Sequence, residues 1–67
     1  MKNLAHDAII DQSITTAIDR EELLLRKYEH YKDILEDAET SALLKECATS
    51  ARDHIDMLKN TLQKLDL

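Results

Sequence analysis

Asp37-Ala38-Glu39-Thr40-Ser41-Ala42 is the stretch on which the fold of this chain turns. It carries the best helix-breaking chemistry in a sequence of 67 residues that has no Gly and no Pro. Asp37, Thr40 and Ser41 each offer a side-chain oxygen to the unpaired N–H groups at the start of a helix. Asp37 and Glu39 place negative charge where the helix dipole is positive. The expected reading is a turn at about 38–41 between two helices. A connection this short makes them antiparallel.

On both sides of the break, apolar residues recur at helical spacing. With heptad position a at 14, 21, 28 and 35, the first segment reads Ile14, Ala17, Glu21, Leu24, Tyr28, Tyr31, Leu35 and Ala38, with Ile18, Leu25 and Ile34 beside them. The second reads Leu44, Cys47, Ala51, His54, Leu58, Thr61 and Leu65, with Ala48, Ile55 and Leu62 beside them. Both stripes are wider than a coiled-coil seam, as in helices buried on more than one side. The spacing predicts an all-α antiparallel helical hairpin in one domain, 1–67, with helices at about 3–38 and 41–65, and with Leu24, Tyr28 and Leu58 in the core.

A second punctuation lies at Ile18-Asp19-Arg20-Glu21-Glu22-Leu23. Asp19 and Glu22 have the spacing of a capping box, and Ile18 and Leu23 that of its hydrophobic staple. Thr15-Thr16, poor helix formers, precede it. The first helix either runs through this stretch or breaks near 18–19. A hairpin of this size buries little core, and the single cysteine forms no internal bridge. Pairing into a homodimeric four-helix bundle is the expected remedy.

Fourteen acids and nine bases give a net charge of −5, all of it from residues 1–40. This disfavours nucleic acid and anionic membrane surfaces as partners, since both need clustered Lys and Arg. The start, Met1-Lys2-Asn3-Leu4-Ala5-His6-Asp7, reads as neither a signal peptide nor a membrane span. One cysteine fits a reducing cytoplasm. There is no Gly-rich phosphate loop, no cysteine pair for zinc and no nucleophile–base arrangement, so the chain reads as a non-enzyme without a cofactor.

Glu21, His54 and Thr61 are the polar residues at core-type positions. Interior carboxylates are costly unless paired or metal-bound, which makes Glu21 and His54 the candidate metal ligands. The plainer expectation has His54 bonded to Tyr28 or Tyr31 across the hairpin and Glu21 as a solvated acid at the bundle rim. His6 and His30 fall on outer faces. Cys47 reads as a small buried hydrophobe. Asp33, Glu36, Asp37 and Glu39 make an acidic, solvated tip.

Tyr28-Glu29-His30-Tyr31, followed by Leu43-Leu44-Lys45-Glu46-Cys47-Ala48-Thr49-Ser50-Ala51-Arg52-Asp53-His54-Ile55-Asp56-Met57-Leu58, resembles one helical hairpin of the ferritin-like superfamily. It is similar to rubrerythrin-type hairpins and to small spore coat protein F-like proteins, over roughly residues 17–62. The rubrerythrin likeness implies a ligand Glu two turns before a Tyr, matched by Glu21 and Tyr28, and a metal-binding His at His54. It also implies Glu-x-x-His, and there this chain departs: Ala51 stands where the Glu would be. Ala51→Glu would create that spacing on the stripe, and a measurable gain in bound metal is the expected result.

Three functions are open to such a chain. It is a structural or interaction protein built from paired hairpins, or a metal-handling protein using Glu21 and His54 across a dimer. As a third possibility, it is a small acidic chaperone or regulator whose apolar stripe covers a partner helix.

Overall fold

The computed structural model describes residues 4–65 and, within them, the side chains of residues 7–65. The expected helix start at Asn3 and the outward placement of His6 lie outside these. Helix α1 spans Leu4–Ile34 and helix α2 spans Ala38–Leu65, and they pack against each other as a hairpin. Its Cα dimensions are 56 × 15 × 12 Å. Among the described residues no helix is long and apolar enough to cross a membrane.

The connection lies at residues 35–37, earlier than the expected turn at 38–41, and the hydrogen bonds give the reason. The Leu35 N–H still donates to the Tyr31 carbonyl at 3.0 Å, closing the last turn of α1. Asp37 then takes the N-cap position of α2. Its carboxylate accepts from the Thr40 N–H at 3.0 Å and from the Thr40 hydroxyl, and its carbonyl accepts the Ser41 N–H at 2.9 Å. Once Asp37 has capped the helix, nothing delays Ala38 and Glu39, both compatible with a first turn. Ser41, a cap candidate from its residue type, lies inside α2. Its hydroxyl donates to the Lys32 carbonyl at 3.2 Å and so pins the start of α2 to the end of α1.

Helix α1 is continuous through residues 18–19. Of the two readings of this stretch the uninterrupted helix holds, with Ile18 buried and Glu22 reaching Lys59 at 3.7 Å in place of a capping box. Ser13 and Thr15 turn their hydroxyls back onto the Ile10 and Asp11 carbonyls, each at 2.9 Å. That conformation lets hydroxyl residues sit inside a helix without competing for its backbone.

The core differs from the heptad expectation. Its buried residues are Ile18 on α1 and Ala48, Ala51 and Ile55 on α2. Leu58 and Tyr28 are half-buried, and Leu24 is exposed. Residues 48, 51 and 55 follow the three- and four-residue steps of one helix face. On a wide apolar stripe only the part facing the neighbour is covered. Here that part is Ala48 and Ala51, with Ile18 and Ile55 the larger side chains buried beside them. A buried Ile contributes about 1.5–3 kcal/mol, an Ala methyl about 0.8 kcal/mol. Most of the long apolar side chains stay half-buried or exposed.

Candidate functional site

Glu21 and His54 come together midway along the hairpin. The His54 Nδ1 lies 3.3 Å from Glu21 Oε1, so with the ring proton on Nδ1 the imidazole donates to the carboxylate. His54 is therefore partnered by Glu21, not by the tyrosines, and Glu21 is half-buried at 26% side-chain exposure, not a free rim acid. Tyr28 lines the same groove nearer the tip, and Tyr31 is exposed, its ring edge-on to His30 with centroids 5.5 Å apart. His30 is exposed, and so is Thr61, whose hydroxyl donates to the Met57 carbonyl at 2.9 Å.

The groove has a volume of about 310 Å³ and is walled by Glu21, Leu24, Tyr28, Leu43, Cys47 and His54, with Ala51 at its floor. Cys47 is half-buried, less enclosed than its sequence position suggests. Chemically the pair offers one carboxylate and one imidazole. Among the described residues no three His, Cys, Asp or Glu side chains converge as a metal site would require. Ala51 is only 2% exposed, inside the helix contact. Ala51 also lines the groove beside His54, so a glutamate there would stand at the edge of the helix contact.

This groove belongs to one flank of the hairpin, where apolar residues run on either side of the Glu21–His54 pair. On α1, Ile10, Ala17, Leu24 and Tyr31 recur every seven residues, and α2 adds Leu43, Cys47, Met57 and Leu65. Leu43 and Met57 are 58% and 61% exposed. The other flank is charged. Glu22 and Glu29 on α1 pair with Lys59 and Arg52 on α2, the first at 3.7 Å, above a shallow groove that also takes in Arg26 and Asp56. Rows of the same spacing, Glu22 with Glu29 and Lys45 with Arg52 and Lys59, would have marked this flank in the sequence. Reading only the core stripe passes over them.

At the tip, Asp33, Glu36, Asp37 and Glu39 are exposed. The Thr40 hydroxyl, and after it the Thr40 backbone N–H, hold the Asp37 carboxyl below its ordinary value by hydrogen-bonding its charged form.

No family model, curated protein or solved structure matches this chain.

Proposed function

We propose that this chain is a non-enzymatic helical interaction or structural protein that acts as a homodimer, two hairpins pairing through their apolar flanks into a four-helix bundle. The observation that carries the reading is exposed apolar surface on a hairpin that, among the described residues, buries only Ile18, Ala48, Ala51 and Ile55. Leu24, Leu43 and Met57 supply exposed apolar area on the flank opposite the Glu22–Lys59 and Glu29–Arg52 pairs. The ferritin-like resemblance suits such a bundle, as a hairpin lacking the full metal set. A reducing, cytoplasmic setting suits the lone thiol of Cys47.

Sedimentation equilibrium at tens of micromolar tests the reading, and a species of twice 7.7 kDa is expected. A clean monomer would overturn it and bring forward a chaperone or regulator whose flank takes a partner helix.

One observation favours a second reading: the Glu21–His54 contact places two metal-ligand types side by side. In the metal-handling reading, two such pairs across a dimer complete a site. Elemental analysis near one metal per chain, lost in His54→Ala, would move it to first place. Negligible stoichiometric metal is the outcome expected here.

A further inference from the structure

We infer that the second copy docks with the two-fold axis running along the hairpin. In this arrangement α1 of each copy lies against α2 of the other, and both tips point to the same end. The inference rests on the four-helix reading above and adds an orientation to it.

Two hairpins facing each other across a two-fold have two choices. With the axis along the helices, each α1 meets the partner's α2 at equal depth. With the axis across the helices, α1 meets the partner's α1 and the tips lie at opposite ends. The apolar residues of the flank tolerate either. The charges that border it do not.

Arg20 and Lys27 on α1 and Glu46 and Asp53 on α2 are all exposed, and none forms an ion pair among the described residues. Glu46 also touches the groove of Glu21 and His54. Among these four the signs are segregated by helix: basic on α1, acidic on α2. The Glu21–His54 contact fixes relative depth, since it puts residue 21 level with residue 54. Lys27 then lies within about one turn of the depth of Glu46, and Arg20 within about one turn of Asp53.

With the axis along the helices, Lys27 faces Glu46 of the partner subunit and Arg20 faces Asp53 of the partner subunit, each twice per dimer. With the axis across them, base faces base and acid faces acid. The Glu21–His54 pair points the same way. At equal depth, each Glu21 meets its own His54 and His54 of the partner subunit, so acid and imidazole alternate around the bundle axis. In the other arrangement Glu21 faces helix α1 of the partner subunit and this alternation is lost.

The same-end arrangement does bring two acidic tips together. Those carboxylates stand on opposite hairpins and point to solvent, separated by about a Debye length or more and largely screened. Charges that meet at the rim act at contact distance and dominate.

The test is charge reversal read by sedimentation, with circular dichroism confirming that each variant keeps its helices. Neither Lys27 nor Glu46 has a charged neighbour three or four residues away on its own helix, so reversal acts mainly between chains. Lys27→Glu and Glu46→Lys should each weaken dimerisation about tenfold. The double variant Lys27→Glu/Glu46→Lys should recover to within about threefold of the parent. If either single reversal tightens the dimer or leaves it unchanged, or if the double variant fails to recover, this orientation is wrong while the dimer stands. A monomeric parent chain overturns both.

Discussion

The two flanks of this hairpin share the same pair of helices and differ in what they leave unsatisfied. On the charged flank, Glu22, Glu29, Arg52 and Lys59 find each other within one chain. On the apolar flank, Leu24, Leu43 and Met57 find water. The contrast separates two tasks that one amphipathic stripe usually combines. The charged flank favours one register of α1 on α2 through exposed pairs that individually contribute little. The apolar flank holds the free energy that only a further surface releases.

The seam between the flanks should be the most sensitive region. Ala51→Glu puts an unpaired carboxylate at the edge of the helix contact, at a cost of several kcal/mol, and should abolish cooperative melting followed by circular dichroism. An unchanged melt would mean that Ala51 does not lie in the helix contact. Ile55→Ala removes one of the two buried isoleucines and should destabilise by about 2–5 kcal/mol.

Next come substitutions that set the flanks against each other. If the chain pairs as proposed, Leu24→Glu should leave it monomeric in sedimentation, whereas Arg26→Glu on the charged flank should leave association within about threefold. Equal effects would erase the distinction between the flanks.

The tip belongs to neither flank and should respond to acid. Asp37 has a lowered folded pKa, so its capping contribution is present above the ordinary value of 3.8 and is lost as pH falls through the lower folded value. Asp37→Asn should flatten the acid edge of stability, measured as the melting midpoint against pH below about pH 4. The smallest effect belongs to the charged flank itself. Arg52→Ala breaks a half-exposed pair with Glu29 and should cost less than about 1 kcal/mol by denaturant melt.

The all-α hairpin is legible from apolar spacing, and Asp37 stands among three cap candidates by residue type alone. Its selection over Thr40 and Ser41 is not legible, because all three carry suitable oxygens. The choice comes from where α1 runs out and from Ser41 reaching back to Lys32, a contact between helices. The heptad frame likewise ranks Leu24 and Leu58 above Ala48 and Ala51 as core. Side-chain size measures how much a residue gains by burial, while helix approach favours the residues that get out of the way. Glu21 and His54 are recognisable as unusual residues on an apolar stripe. Their pairing depends on the depth at which the helices align, which moves with the turn.

The connection at residues 35–37 has a consequence for engineering. Among the described residues no backbone position has a positive φ, so this bend needs neither glycine nor strain. Such a bend should accept inserted sequence readily, since each doubling of a flexible loop costs only about 0.6 kcal/mol. A peptide grafted after Glu36 would be displayed at the end of a narrow rod. In the same-end dimer two grafts would stand side by side, making the chain a small bivalent scaffold whose spacing is set by the width of the bundle.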